Sequence, residues 1–279
     1  MKKFLALIPA MLVMLSSCDG FFQLDNKEFY NAQITGKFID ASTNEVVMME
    51  SYDMTISSGW YTYNTPIAGY IQVYEQGWDG EAAQNWYVKY DGTYTNNLVF
   101  AGKYRMDFTY LPFYPLAQAP VIDIAKGSNT KDFTVTPYAR VKNAKVVYDK
   151  AAKVFKAECD VEAGNVEMTP LVKEVRLMVY TDKFVNTNTN RASTYAASAK
   201  SNVASGSHIS DLTIDPAANN DKLKEEFKYV RPHYFRVSAT CANLGTNNNN
   251  LKNLSKVFKA TPVDQSGSDY TIEEVSYND

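Results

Sequence analysis

The side chains that carry most enzymatic chemistry are scarce in this sequence. Its 279 residues include only two histidines and three cysteines, namely His208, His233, Cys18, Cys159 and Cys241. The sequence contains no G-x-S-x-G elbow, no phosphate-binding P-loop and no H-E-x-x-H zinc motif. A Ser–His catalytic pair stays open as an alternative, but both histidines have the surroundings of surface or strand-edge residues. We therefore predict no catalytic residue, no metal site and no cofactor.

Acidic residues are numerous, yet their spacing favours neither a glycosidase nor a calcium site. Glycosidases need two facing carboxylates, and no spacing here singles out a pair. The segment that begins at Asp264 has Asp269 at its sixth position, where an EF-hand requires Gly, and Val275 at its twelfth, where Glu is required. A polar turn is the better interpretation of this segment. An enzyme is accordingly the least favoured of the candidate functions.

Aromatic residues point to binding instead of catalysis. Sugar rings present apolar C–H faces that stack on exposed aromatic side chains, while Asn, Asp or Gln side chains bind their hydroxyl groups. All three tryptophans fall in the first third of the chain beside polar or glycine-rich segments. The candidate glycan-stacking residues are Trp60, Trp78, Trp86, Tyr61 and Tyr63. The alternative is that these rings cap the ends of a small sandwich, buried and with the indole N–H hydrogen-bonded.

The N-terminus has the pattern of a bacterial export signal. Its positively charged start and the apolar run ending at Leu15 fit a signal peptide, and the run is too short for the roughly 20 residues that span a bilayer. The segment Leu15–Cys18 resembles a lipobox, whose cysteine is acylated and becomes the first residue of the mature chain. The resemblance implies a signal peptide at 1–17, lipid attachment to the membrane at Cys18 and a tether at 18–29. An ordinary secretion signal is the alternative.

Composition predicts a fold built from strands. The 20 Tyr and 14 Phe residues, with frequent Gly, Asn, Asp and Pro between apolar stretches, are typical of many short strands. Loss of the leader removes two of 28 basic residues and none of 31 acidic ones, which changes the net charge from −3 to −5. No basic stripe is visible, so nucleic acid is not an expected partner. With ~150 residues per domain as a guide, we predict an all-β fold with two β-sandwich domains in tandem.

The first domain is predicted to span residues 30–137. The stretches 32–40 and 70–75 alternate apolar and polar residues in the manner of half-buried strands. Tight turns are expected at Asp91-Gly92 and Ala101-Gly102, because Gly accepts positive φ without steric cost. This series of motifs resembles the carboxypeptidase-regulatory-like or Cna-B-like domain, a small transthyretin-like β-sandwich.

A closer resemblance is to the DUF3823 lipoproteins of Bacteroidetes. It is carried by Val-Tyr-Glu-Gln-Gly-Trp at 73–78, Tyr-Val-Lys-Tyr-Asp-Gly-Thr-Tyr at 87–94 and Val-Thr-Pro-Tyr at 135–138, and it covers the lipobox and most of residues 30–140. The family lacks an established activity. Its association with SusC- and SusD-like proteins implies an outer-membrane, cell-surface setting near the machinery for glycan uptake. It does not assign a reaction.

The second domain is predicted to span residues 138–262, followed by a last strand or C-terminal tail at 263–279. Strict alternation at 154–161 predicts a half-buried strand, and Asp221 to Tyr229 is expected to hold a short helical turn. The strand at 234–241 resembles the Tyr-x-Arg-Val-x-Ala strand of fibronectin type III and immunoglobulin-like sandwiches. The resemblance implies that this domain is a sandwich of that type.

The same resemblance bears on the two remaining cysteines. Cys159 and Cys241 fall on the core side of strands that correspond to the two bridged in immunoglobulin domains. A Cys159–Cys241 disulfide would close a loop of roughly 80 residues, worth about 4 kcal/mol in the chain-entropy model. Two buried free thiols are the alternative, since no Trp lies between the cysteines and no Tyr precedes Cys241 by two residues.

These observations lead to two main functional hypotheses. The first is a non-catalytic outer-membrane lipoprotein that captures glycan beside a SusC/SusD-type uptake channel in polysaccharide utilisation. It predicts an exposed aromatic platform. The second is a scaffolding envelope lipoprotein that docks onto another protein without binding sugar. It predicts an apolar patch or a free sheet edge available for strand addition.

Overall fold

The computed structural model describes residues 29–50, 56–57, 62–63, 69–77, 79–241 and 251–276. Within these ranges the chain consists almost wholly of β-strands, so the predicted all-β class is confirmed. The strands fall into two groups, which we call the N-terminal half (residues 29–137) and the C-terminal half (residues 138–276). No helix in these ranges is long and apolar enough to cross a membrane.

The N-terminal half contains two main sheets in its described part. One has the order β10-β1-β6, with β9 also beside β1, and the other has the order β5-β4-β7-β8, while β2 and β3 form a separate hairpin. The strands are β1 Ala32–Asp40, β2 Ile56–Ser57, β3 Thr62–Tyr63, β4 Tyr70–Glu75, β5 Ala83–Tyr87, β6 Thr93–Val99, β7 Gly102–Asp107, β8 Val121–Ile124, β9 Gly127–Thr130 and β10 Phe133–Val135.

An aromatic cluster fills the space between these two sheets. Alternation along β1 turns Phe38 inward, where it is fully buried. Its ring centroid lies 5.1 to 5.8 Å from those of four other rings, Tyr94, Phe108, Phe113 and Phe133. Aromatic side chains bury large areas and gain further from tilted and edge-on contacts, so this cluster is the main stabilising contact of the N-terminal half.

Two predicted glycine turns have different outcomes. Gly92 has φ +75° and its N–H donates to the carbonyl of Lys89 at 2.9 Å, so the predicted turn before β6 is confirmed. Gly102 begins β7 without a positive φ. The prediction that Gly102 adopts a positive φ was therefore wrong, because the chain enters β7 at this residue in ordinary strand geometry.

The C-terminal half contains a three-stranded and a five-stranded sheet, with orders β11-β12-β15 and β14-β13-β16-β17-β18. Its elements are β11 Ala139–Asp149, β12 Val154–Ala163, β13 Leu171–Tyr180, a 3-10 turn Ala196–Ser198, β14 Ala199–Ala204, β15 Ser207–Ile214, helix α1 Asp221–Glu226, β16 His233–Cys241, β17 Lys252–Pro262 and β18 Tyr270–Val275. The predicted helical turn is confirmed as α1. The C-terminal segment was predicted to be either a last strand or a tail, and β18 is the last strand.

The core of the C-terminal half contains both cysteines as free, buried thiols, so the predicted disulfide was wrong. Cys159 faces the core from β12, opposite Ile209 of β15. The thiol of Cys241 is instead directed at the backbone carbonyl of Tyr138, with a sulfur–oxygen distance of 2.8 Å. Each thiol thus behaves as a small core side chain.

Backbone pairing joins the two halves. After β1 the chain turns back, and residues 47–50 run beside the start of β17. The carbonyl of Met48 accepts the N–H of Leu254, and the N–H of Glu50 donates to the carbonyl of Lys252, both at 3.0 Å. This short segment therefore acts as an extra strand on the five-stranded sheet of the other half.

Charged side chains reinforce this junction. Arg140 of β11 makes a bidentate hydrogen-bonded ion pair with Asp40 of β1, and both side chains are largely buried. Arg236 of β16 also donates through Nη2 to the carbonyl of Tyr90 at 3.1 Å. Planar, bidentate Arg–carboxylate pairs fix relative geometry as well as contributing energy. The predicted domain boundaries stay predictions, since contacts cross extensively between the halves.

Candidate functional site

The outer face of the β5-β4-β7-β8 sheet is the candidate site. Successive side chains of a strand point to opposite faces of its sheet. In β4 the side chains of Ile71 and Val73 are fully buried in the core. Those of Tyr70, Gln72 and Tyr74 therefore lie on the opposite face, which the β10-β1-β6 sheet does not cover.

The neighbouring strands extend this face in register. On β5, Tyr87 lies opposite Tyr70 of β4, and Asn85 lies opposite Gln72. On β7, Asp107 lies opposite Gln72, and Arg105 lies opposite Tyr74. We call this surface the tyrosine face, and its residues are Tyr70, Gln72, Tyr74, Asn85, Tyr87, Arg105 and Asp107. Rings, amides, a carboxylate and a guanidinium thus share one side of the sheet.

Tyr87 is the exposed ring of the tyrosine face, with 49% of its surface accessible. It lies beside Tyr70, whose ring centroid is 6.4 Å away and which is only 1% exposed. Tyr110 stacks on Tyr70 at 4.5 Å with an interplanar angle of 20°. Burial and the hydrogen bond to Tyr110 raise the pKa of Tyr70 well above its usual value, so this hydroxyl stays neutral. Tyr70 and Tyr110 are therefore a packed pair of rings beside the accessible ring of Tyr87.

Arg105 and Tyr74 form the charged end of the tyrosine face. The guanidinium carbon of Arg105 lies 4.0 Å from the Tyr74 ring centroid, a cation–π contact. Arg105 also pairs with Glu81, and its hydrogen bond is the main reason that the pKa of Glu81 lies below the usual value. The amide of Gln76 donates to the same carboxylate at 3.1 Å. This arrangement fixes the orientation of Arg105 across the sheet.

Polar groups between the two aromatic ends keep hydrogen-bonding capacity. The Gln72 Oε1 accepts the hydroxyl of Tyr74 at 3.4 Å, which leaves the amide N–H groups of Gln72 for a ligand. One oxygen of Asp107 accepts the backbone N–H and the hydroxyl of Thr109. A carboxylate offers about four acceptor positions, so Asp107 can accept further hydrogen bonds.

This geometry suits binding of a neutral, polyhydroxylated ligand. An exposed ring presents an apolar plane, and adjacent amide and carboxylate groups donate to and accept from hydroxyl groups. The described residues contain no cluster of three or more His, Cys, Asp or Glu that could hold a metal ion. We interpret the tyrosine face, from its exposed ring and its polar groups, as a surface for direct contact with a ligand.

Trp86 does not belong to this surface, and its prediction as a glycan-stacking residue was wrong. It lies opposite Ile71 on the core side of the sheet and is only 4% exposed. Its ring packs 5.7 Å from that of Tyr104, and its N–H donates to Gln84 Oε1 at 3.4 Å. This is the buried, hydrogen-bonded arrangement that was the alternative prediction for the tryptophans.

The remaining predicted residues for glycan stacking and lipid attachment have side chains outside the described residues. Trp60, Tyr61, Trp78 and Cys18 lie outside the described residues. The backbone of Tyr63 belongs to β3, but its side chain is likewise outside the description. These residues stay predictions.

The residues that form the tyrosine face were not among the predicted site residues. The sequence did contain a signal for some of them. The alternation of residues 70–75 identified β4, and the polar and aromatic residues of that stretch lie on its outer face. The partners on β5 and β7 had no comparable signal, because the register between strands is needed to bring Tyr87 and Arg105 to the same side.

Comparison with known proteins identifies a family for the N-terminal half. Residues 32–136 match the family model described as "Protein of unknown function (DUF3823) N-terminal domain". This match confirms the recognised resemblance to DUF3823 proteins over these residues. The comparison with curated proteins gave no match.

Solved structures share the fold over most of the chain. A Bacteroides uniformis protein, provisionally described as carbohydrate binding, is 26% identical with a TM-score of 0.65, covering 88% of this chain and 99% of its own. A DUF3823 family protein from Parabacteroides merdae is 17% identical with a TM-score of 0.60, covering 82% and 98%. One from Bacteroides ovatus is 18% identical with a TM-score of 0.59, covering 82% and 97%. The last two likenesses concern the fold alone.

Proposed function

From the premise that this chain carries a DUF3823 N-terminal domain at residues 32–136, we propose that it is a non-catalytic carbohydrate-binding protein. The binding site in this proposal is the tyrosine face. The observation that carries it is the exposed ring of Tyr87, which packs beside Tyr70 and shares its face of the sheet with amide, carboxylate and guanidinium groups. The similar Bacteroides uniformis structure, described in the same terms, supports the same class of ligand.

Binding on this face follows from the physical chemistry of sugars. A pyranose ring has one face rich in C–H groups, which loses little on leaving water and gains contact with an aromatic plane. Its equatorial hydroxyl groups then point sideways, where Gln72, Asn85 and Asp107 can bond to them. An open sheet face also accommodates several sugar units in a row, so a polysaccharide is favoured over a free monosaccharide.

The setting of the protein is part of the same proposal. The lipobox at Leu15–Cys18 supports a lipid anchor at Cys18. The resemblance to DUF3823 lipoproteins supports a place on the outer membrane, facing the cell surface. There the protein would capture glycan for a neighbouring SusC/SusD-type uptake system. Capture at a surface favours an open face over a deep pocket, because long chains can then bind at any point along their length.

Native affinity electrophoresis tests the proposal. The non-lipidated chain from Asp19 to Asp279 is run in gels that contain neutral plant, mucin-type or microbial polysaccharides. We expect retardation by one glycan class, and Tyr87→Ala should weaken this binding by about fivefold or more, taking roughly 1–3 kcal/mol for stacking on one aromatic ring by analogy with nucleic-acid bases.

The matched control is Tyr229→Ala, which removes another exposed tyrosine, 60% accessible, from the C-terminal half. It should leave retardation unchanged. Absence of retardation by every polysaccharide, or equal loss in the two variants, would contradict a sugar site on the tyrosine face.

A further inference from the structure

A second candidate site is the groove of about 770 Å³ where the two halves meet. We call it the junction groove. The segment 43–48 of the N-terminal half forms one wall, and residues 139–144 of β11 form another. Residues 253–256 of β17 form the floor with Phe258, and Glu274 of β18 lies at one end. The tyrosine face contributes none of these residues.

The wall formed by β11 is the edge of its sheet, since among the described strands β11 pairs with β12 alone. The N–H of Gly164 donates to the carbonyl of Tyr138 at 2.8 Å, so this carbonyl faces β12. Backbone groups in an antiparallel pair point alternately toward and away from the partner strand. Those of Ala139 and Val141 are therefore directed away from β12, and both residues line the junction groove.

Asn253 occupies part of this edge and leaves one donor unpaired. Its Oδ1 accepts the N–H of Ala139 at 3.0 Å, in the manner of a neighbouring strand. Asn253 is only 3% exposed, and its Nδ2 has no hydrogen-bond partner in the described part of the chain. A buried donor without a partner is unfavourable. A backbone carbonyl that entered beside β11 would satisfy it.

The opposite wall also presents backbone groups. The N–H of Val47 donates to Phe38 at 2.9 Å and the carbonyl of Glu45 accepts from Asp40 at 2.8 Å, so both face β1. Val46, between them, is paired with Ile39 by a bridge in which its own backbone groups point away from β1. Val46 thus has the same orientation as Met48 and Glu50, whose backbone groups pair with β17, and it lines the junction groove.

The side chains of the junction groove fit a polypeptide better than a sugar. Among its described lining residues there is no tyrosine or tryptophan, and the one aromatic ring, Phe258, is buried. Three acidic and three basic residues balance each other along the lining: Asp40, Glu45, Glu274, Arg140, Lys142 and Lys256. The groove therefore has no ring for sugar stacking and no net charge that would select an ionic ligand.

We infer that the junction groove binds an extended polypeptide segment of a partner protein by strand addition to β11. The backbone of this segment would bond to Val141 and to the Asn253 amide, while its small apolar side chains would lie against Leu254 and Phe258. Main-chain bonds supply affinity in this mode, and alternate side chains supply specificity. The site would let the protein hold a neighbour while the tyrosine face stays open.

Selection of peptides tests this inference. A phage-displayed library of random linear ten-residue peptides is panned on the chain from Asp19 to Asp279. Enriched peptides are then measured by fluorescence anisotropy. We expect saturable binding that is at least tenfold weaker, about 1.4 kcal/mol, in Val141→Pro. This variant removes one N–H from an edge strand on its open side, where proline is tolerated.

Two controls separate backbone pairing from a folding defect. The same peptide with N-methyl groups on alternate residues should bind at least tenfold more weakly to the unaltered chain. Glycan retardation of Val141→Pro should equal that of the unaltered chain, because the tyrosine face is intact. Failure to enrich any peptide, equal binding to Val141→Pro and the unaltered chain, or indifference to N-methylation would overturn the inference.

Discussion

Tyr87 and Trp86 are adjacent in sequence but have opposite roles in the N-terminal half. Trp86 packs against Tyr104 in the core, whereas Tyr87 is exposed beside Tyr70. A shift of one residue in the register of β5 would exchange these two rings, because side chains alternate between faces. The pairing of Trp86 with Ile71 fixes the register. Core packing in this way determines which ring is available to a ligand.

The two buried thiols give a prediction at the scale of single residues. Burial raises the pKa of Cys159 to about 12 and that of Cys241 to about 11, so almost no reactive thiolate exists at pH 8. In the chain from Asp19 to Asp279 we expect no rapid reaction with Ellman's reagent under native conditions. Two thiols per chain should react after unfolding in guanidinium without reductant. Fewer than two after unfolding would point to a disulfide and contradict the structure.

The turn before β6 shows how one backbone conformation positions a strand. Gly92 has φ +75°, and a Cβ at this position would lie 2.2 Å from the carbonyl oxygen of Val47. Real Cβ atoms do not approach backbone atoms so closely, so the neighbouring segment would have to move. That segment continues directly into the residues that pair with β17, which links this turn to the junction between the halves.

Replacement of Gly92 by alanine is therefore expected to destabilise the protein by at least about 2 kcal/mol, combining the positive φ and the steric overlap. The matched control is Gly206→Ala. Gly206 has φ +84°, but no atom of the described residues lies within 4 Å of the position that a Cβ would occupy, so only the backbone cost of roughly 1 kcal/mol applies. Urea unfolding followed by circular dichroism measures both. Equal losses would show that the contact with Val47 is unimportant.

Much of the strand pattern could be predicted from the sequence, because alternation and turn residues are local signals. The stretches 32–40, 70–75 and 154–161 were recognised in this way and correspond to β1, β4 and part of β12. The disulfide was mispredicted because the alternation of the strands shows that both cysteines face the core but does not show the direction of each thiol. The tyrosine face could not be predicted, because it depends on the register between β4, β5 and β7. The junction groove could not be predicted either, because it depends on contacts between residues more than 100 positions apart, such as Asn253 and Ala139.

At the scale of the whole molecule, the ion pair of Asp40 and Arg140 links β1 to β11 and so joins the two halves. Burial by itself would raise the pKa of Asp40, but hydrogen bonds from Arg140 and from the N–H of Ser42 outweigh it, and the pKa lies below its usual 3.8. The folded state therefore binds a proton at Asp40 less readily than the unfolded state. This contribution to stability is fully present above about pH 4 and is lost as the pH falls through the folded pKa.

Asp40→Asn should accordingly lower the free energy of unfolding by about 3 kcal/mol at pH 7, because it leaves the largely buried guanidinium of Arg140 without its counter-charge. The difference from the unaltered chain should shrink as the pH is lowered from 7 to 3. Urea titrations at several pH values measure this trend. Glu158→Gln, which removes an exposed ion pair with Lys145, is the control and should change stability little. A difference that grows toward pH 3 would contradict the assigned sign.

At the scale of the whole molecule, the two proposed binding surfaces are separate. The tyrosine face lies on the sheet β5-β4-β7-β8, and the junction groove lies between the halves. A ligand on the first surface need not disturb a partner in the second, since they share no residue. This separation fits a surface protein that presents glycan while attached to a neighbour.

The most direct test is a crystal structure of the chain from Asp19 to Asp279 with an oligosaccharide of the glycan class that retards it in gels. We predict a sugar ring parallel to Tyr87 at a van der Waals distance of about 4 Å, with hydroxyl groups bonded to Gln72, Asn85 or Asp107. A sugar bound in the junction groove, or anywhere that leaves Tyr87 exposed to water, would contradict the central claim.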